Sequence, residues 1–292
     1  MSEIRIGVIG GSGLYHMEGL EVREEKRIST PFGDPSDPYV IGQLEDAGVA
    51  FLARHGRGHK LLPSELNYRA NIYGFKKLGV EWIVSVSAVG SMKEEYRPTD
   101  ILVPDQFVDR TRHRADTFFG DGLVAHIAFA NPVCSTLRPI FYESAKQAGA
   151  RAHDGGAYIC IEGPQFSTRA ESHIYRQWGV DVIGMTNLQE AKLAREAEIC
   201  YATLALITDY DCWHEEEDDV SGHAVMEVIQ QNAATAQDVV RRILRRLPIE
   251  RTCECATALQ SALITDPSVI PAATRRNLAP LVAKYLDTES EI

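Results

Sequence analysis

Nowhere does the sequence approach the roughly 20 consecutive apolar residues that a membrane-crossing helix requires. The opening residues MSEIRIGVIGG bring charge and then a short β-type run, without the longer apolar core and small-residue cleavage site of a secretory signal. Both absences point to a cytoplasmic protein with no membrane partner. Positive charge is also scarce: 30 Lys and Arg stand against 41 Asp and Glu, for a net charge of −11. Long-range electrostatics therefore repel nucleic acid, and a small molecule suits this balance better. Six cysteines among 292 residues are too few for a secreted disulfide scaffold. Cys134, Cys160, Cys200, Cys212 and Cys255 have apolar, aromatic or small neighbours, as buried small hydrophobes do. Cys253-Glu254-Cys255 is too tight for a CxxC motif and has no second pair for zinc, which leaves a disulfide open there. Repeats, low-complexity segments and Gly/Ser linkers are lacking too, so one domain over 1–292 is expected.

What is present is an alternation of β and α patterns. Apolar runs at 4–9, 39–44, 49–54, 82–90, 157–162, 180–185 and 199–210 read as strands covered on both faces. Helical patterns fall at 63–78, opened by Pro63, and at 135–148, 168–177 and 187–197; Asn187 with Glu190 resembles a capping box for the last. From about 220 the chain turns helical, with helices over 220–247 and 274–286 and no strand between. This alternation predicts an α/β fold of three layers, α/β/α. Arg241, Arg242, Arg245 and Arg246 complement the end of the long helix and read as a solvated face.

Three strand ends could hold an anion. The turn GGSG at 10–13 offers backbone N–H groups and the Ser12 hydroxyl, but a dinucleotide fingerprint would need glycine where His16 stands. ARHGRGH gathers Arg54, His55, Arg57 and His59 at the next strand exit. SVSAVGS adds Ser85, Ser87 and Ser91. Together these make a phosphate site. At the end of a long apolar strand, Asp209 and Asp211 alternate with Tyr210, so both carboxylates can face one side of the sheet. Their proximity and burial should raise one pKa and supply an acid near neutral pH. WHEEEDD (213–219) is too polar for core and reads as a lid or solvated loop, and the arginines Arg110, Arg112 and Arg114 as a surface loop or subunit contact.

The motifs GGSGL, TPFGDPSD, ARHGRGH, NYRANI, AVGSM, DQFVDRT, IEGPQFSTRAES, GMTN and TDYDCW, in order from residue 6 to about 240, resemble the 5′-methylthioadenosine phosphorylase branch of the trimeric purine nucleoside phosphorylases. The resemblance implies a single domain with a mixed, partly barrel-like central sheet and a homotrimer or dimer of trimers. It implies phosphate binding by Ser12, Arg54, His55, Ser87 and Thr186, and base binding by Phe166, Ser167, Asp209 and Asp211, with the two aspartates catalytic. It further implies Met185 under the ribose, and Val225 with a neighbouring subunit's His126 around the 5′ position. Relatives acting on 6-oxopurines carry Glu at the position of Ser167 and Asn at that of Asp209, so adenine is expected here. The implied reaction is phosphorolysis of S-methyl-5′-thioadenosine to adenine and 5-methylthioribose 1-phosphate, a salvage step. Phosphate serves as co-substrate, with no cofactor and no metal. The alternatives are a 6-oxopurine nucleoside or methylthioinosine phosphorylase and, remotely, a non-catalytic purine-binding sensor.

Overall fold

The computed structural model describes residues 4–11, 14, 17–216, 219–248 and 250–286; Ser12 lies outside them. Strands β1 (Ile6–Gly10), β2 (Glu21–Lys26), β3 (Tyr39–Leu44) and β4 (Ala47–Ala53) precede helix α1 (Tyr68–Lys77). Next come β5 (Trp82–Ser91), β6 (Ile101–Val103), β7 (Gln106–Arg110) and α2 (Leu137–Gln147), then β8 (Ala152–Asp154), β9 (Ala157–Ile161) and α3 (Arg169–Gln177). The chain continues through β10 (Val182–Gly184), α4 (Asn187–Glu196), β11 (Cys200–Asp209), α5 (Gly222–Arg246) and α6 (Ala272–Leu286).

The strands form one mixed sheet in the order β2-β3-β4-β1-β5-β10-β9-β7, with β11 pairing both β5 and β6, and β6 pairing β8. The path ends at β2 and β7 without closing, so the barrel-like character expected of the sheet stops short of a barrel. Successive side chains of the central strands enter opposite cores, as the two-residue period requires. In β5, Trp82, Val84 and Val86 join one apolar cluster and Ile83 the other; in β11, Ala202 and Leu204 join the first and Tyr201 the second. Helices α2 and α5 cover the first face, and α1, α4 and α6 the second. This is the three-layer arrangement expected from strands that are apolar on both sides.

Strand β5 positions the site. Its first residues, Trp82–Ser85, pair with β1, and its last two, Gly90 and Ser91, with the oppositely running β10. Between them this edge of β5 has no strand partner, and a cleft opens there. The other edge pairs with β11 along nearly the whole strand.

Several local expectations change. Helix α1 starts at Tyr68 instead of at Pro63, because Asn67 caps it by accepting from the Ala70 amide. The Asn187–Glu190 capping box does not form: Thr186 is the N-cap residue, and both side chains are drawn into a buried network. Thr168 and Glu171 do form one at the start of α3. Trp213 is not part of a polar loop. It is buried, donates to the Ser91 carbonyl at 2.7 Å and stacks under Arg176. Strands β2, β6, β7 and β8 went unanticipated; β2 is exposed along its whole length and has no apolar pattern to find. The arginines ending α5 meet carboxylates, Arg242 at Asp238 and Arg245 at Glu45, as a solvated face would. Among the described residues no helix is long and apolar enough to cross a membrane.

Two substitutions separate local from core stabilisation. Thr168→Ala should cost about 1 kcal/mol by removing one cap. Phe141→Ala, which empties a fully buried site on α2, should cost about 3–5 kcal/mol. Thermal unfolding of both variants checks the ranking, and a cap variant as damaging as the core variant would contradict it.

Candidate active site

The cleft beside β5 has a volume of about 600 Å³. Its walls come from the turn after β1 (Gly11), the end of β4 and the loop after it (Arg54 to Pro63), Ser87–Gly90 of β5, Gly184–Thr186, the end of β11 and the first turns of α5. Strands β1, β4, β5 and β11 run parallel. The cleft thus lies at their carboxyl ends, where open α/β sheets bind ligands.

At one end stands Arg54, buried against Glu190. Its Nε donates to Glu190 at 2.5 Å, Nη2 to Glu190 at 3.1 Å and to Ser85 Oγ at 2.8 Å, and Nη1 to the Val86 carbonyl at 2.9 Å. The Val86 carbonyl is one that the gap in the strand pairing frees. Four of the five guanidinium N–H groups are thereby committed, leaving one on Nη1, the nitrogen nearest Gly11. Burial opposes the charge, but Glu190 more than restores it, and the guanidinium is held above its ordinary pKa. Asn187 and Tyr201 close the network by donating to Ser85 and Glu190 respectively. Ser85, read from the sequence as an anion-site hydroxyl, instead spends it on Arg54 and Glu190; Glu190 and Asn187 were not singled out as members of an anion site, since nothing local marks them.

His55 and His59 line the same end and stack at 4.3 Å. Burial lowers the His55 imidazole to about 4, against the raising effect of the Leu61 carbonyl, which lies 2.9 Å from Nδ1. The ring is neutral near pH 7, with its proton on Nδ1 and Nε2 free to accept. Arg57, from the same motif, points elsewhere: it pairs with Glu25 and Asp37 outside the cleft. Ser87 and Thr186 both line the cleft. Ser87 donates to Asn187 Oδ1 at 2.5 Å, whereas Thr186 spends no side-chain bond on capping α4. Ser91, grouped with them on sequence, turns back to the Lys93 carbonyl.

At the other end Asp209 and Asp211 share the wall. The reason differs from simple strand alternation. Strand β11 ends at Asp209, after an irregular register at Ile207/Asp209, and Asp211 sits in a turn at φ 55°. Asp209 accepts from Thr208 Oγ1 at 2.7 Å and from the Asp211 amide at 2.8 Å. Gly90 lets the carboxylate approach, since a Cβ there would lie 2.8 Å from Asp209 Oδ1. Burial raises the pKa of Asp209; its two hydrogen bonds oppose the rise and the Asp211 charge adds to it. Asp211 is also raised, chiefly by burial. Phe166 offers a half-exposed ring to the cleft. Ser167 is not on the wall; it lies behind Asp211, its hydroxyl buried.

Between these ends lies Met185. Gly163, at φ 64°, permits the contact, for a Cβ there would meet Met185 Sδ at 2.5 Å. Arg114 holds the Met185 carbonyl at 2.5 Å and also bonds Gln189, Tyr68 and the Glu162 carbonyl. The expected surface role of Arg114 is thus overturned: its side chain is buried, because every partner is an internal acceptor from elsewhere in the chain. Val225, Met226 and Ile229 bring an apolar stripe of α5 to the cleft. His126 is exposed and absent from this chain's own wall, its amide bonded to the Ala262 carbonyl.

Known proteins resemble this chain over nearly its whole length. An S-methyl-5′-thioadenosine phosphorylase of Koribacter versatilis is 58% identical over 283 residues, 97% of each chain. One of Geobacter sulfurreducens is 60% identical over 282 residues, covering 96% of this chain and 99% of the relative. Among solved structures, a methylthioadenosine phosphorylase from an antarctic soil metagenomic library superposes with a TM-score of 0.91 at 49% identity, over 97% of this chain and 100% of that one. The methylthioadenosine phosphorylase from Schistosoma mansoni in complex with adenine gives 0.82 at 32% identity, over 97% and 99% of the two chains. The family model described as the phosphorylase superfamily matches residues 5–245, and the chain belongs to that superfamily.

Proposed function

We propose that this protein cleaves S-methyl-5′-thioadenosine with inorganic phosphate, releasing adenine and 5-methylthioribose 1-phosphate for salvage. One observation carries the reading: the Arg54–Ser87–Thr186 group and the Asp209–Asp211 pair wall a single cleft. The Val86 carbonyl marks one end of the unpaired stretch of β5 and Gly90 the other. Four residue steps of strand separate them by roughly 13 Å, the span of a phosphate, a sugar and a base in line.

In this proposal the remaining Arg54 N–H, the Thr186 hydroxyl and the first amides of α4 hold the phosphate. Neutral His55 accepts from its P–OH group. The C1′–N9 bond breaks while Asp209, whose protonated form burial favours, gives its proton to N7, and a phosphate oxygen bonds to C1′. The proton that phosphate loses on becoming an ester replaces the one transferred to adenine, so no net proton is consumed. Asp211 accepts from the exocyclic amino group, and Phe166 covers the base. Met185 lies under the ribose. The stripe Val225, Met226 and Ile229 meets the methylthio group, where a 5′-hydroxyl would want a polar partner. The scheme calls on no cofactor or metal for the chemistry. The exposed His126 fits the 5′ pocket of a neighbouring copy in a homotrimer, and the likeness to metabolic enzymes fits a cytoplasmic place.

Adenine release from methylthioadenosine should require phosphate and exceed the release of hypoxanthine from inosine; release without phosphate, or faster inosine turnover, would defeat the reading. Asp209→Asn should lower kcat by about 100-fold or more. Because the acid must be protonated, wild-type kcat should fall as pH rises through the raised Asp209 pKa, and this limb should vanish in the variant. Steady-state kinetics across pH checks both. Val225→Ser should lower kcat/KM for methylthioadenosine relative to adenosine by about 10-fold; an unchanged ratio would remove Val225 from the 5′ pocket.

A further inference from the structure

Four of the six cysteines converge far from the cleft. Cys134 precedes α2, Cys200 opens β11, and Cys253 and Cys255 flank the start of a single helical turn at Glu254–Thr257. Their four sulfurs all lie within 4.8 Å of one another, and no other such group of His, Cys, Asp or Glu occurs among the described residues. A buried cysteine used as a small hydrophobe needs no sulfur neighbour, and Cys160 and Cys212 stand apart from this cluster. From the sequence the Cys253/Cys255 pair lacked partners for a metal. The fold supplies them from positions 53 and 119 residues away.

We infer that Cys134, Cys200, Cys253 and Cys255 form a tetrahedral thiolate site for a structural zinc ion. Zinc–sulfur bonds of about 2.3 Å in a tetrahedron place the sulfurs about 3.8 Å apart. The Cys200–Cys253 and Cys134–Cys253 separations are 3.2 and 3.7 Å. Every sulfur lies within reach of the other three, so the cluster is not divided into two exclusive pairs as two disulfides would be, whereas one ion takes all four at once. The backbone amides of Leu137 and Cys255 face the sulfurs of Cys134 and Cys253. Amides so placed, one of them at the start of α2, offset negative charge on a four-thiolate complex. No electrons move: four thiols lose their protons to solvent and the ion takes the four thiolates.

The ion would clamp the segment after α5 to the sheet. Cys134 is already tied to β11 through its amide and the Tyr201 carbonyl, and Arg251 bonds the Glu198 carbonyl. A few residues beyond the cluster, Ala262 and Ile264 bond to His126 and Val124. The site thereby also fixes the exposed loop that carries His126.

The test is metal analysis of the full-length protein, purified under reducing conditions and freed of loose ions. About one zinc per chain is expected, together with six thiols titratable after unfolding in a chelator without reductant. Cys253→Ser with Cys255→Ser should lose the zinc, and Cys160→Ser should retain it. Should the double variant not fold, cobalt exchanged into the wild-type protein must show the intense visible bands and thiolate charge-transfer band of a tetrahedral thiolate complex. Wild-type protein without metal, whether its thiols are all free or appear only after reduction, overturns the inference in favour of packing or of disulfides respectively.

Discussion

A guanidinium taken out of water costs several kcal/mol unless a carboxylate meets it, and the site is arranged around that requirement. Arg54, at the end of β4, is met by Glu190 from α4, 2.5 Å from its Nε. Ser85 of β5 and Tyr201 of β11 complete the contact through hydroxyls. One ion pair thus locks three strands and a helix at a single depth, beside the cleft. The pairing also limits what an anion meets. Most of the guanidinium's donors are engaged, so it presents a partial positive charge, which suits a phosphate that must be bound and then leave as an ester.

The interruption in strand pairing along β5 is the second structural condition. Buried carbonyls without partners are costly, and Arg54 takes the Val86 carbonyl that the gap leaves without a strand partner. Asp209 depends on the same place, since only a glycine at position 90 lets its carboxylate lie against the strand. Burial there lifts its pKa, which an aspartate at an exposed strand end would not experience.

Where the chain is locally consistent, its structure was legible. Runs apolar on both faces became central strands, and the helical pattern at 168–177 became α3. Where side chains are claimed by distant partners, local rules failed. Asn187 and Glu190 have the spacing of a cap, but Ser85, Tyr201 and Arg54 compete for them more strongly. Arg114 looks like one of three surface arginines, yet its acceptors lie between residues 68 and 189. Strand β2 carries no apolar pattern because it buries nothing.

The residues themselves were enough to name an anion site, from an arginine, a histidine and small hydroxyls, and an acid, from two neighbouring carboxylates; the base came from the resemblance. Their types and neighbours are local properties. Whether those groups share one cavity depended on the fold, as did the neutral state of His55, the pairing of Arg54 and the raised pKa of Asp209. Each follows from burial and from contacts across the sheet, between residues as far as 136 positions apart. No spacing along the chain encodes such contacts. The cysteines show the same limit, for Cys253 and Cys255 find Cys134 and Cys200 only once α2 and β11 have packed.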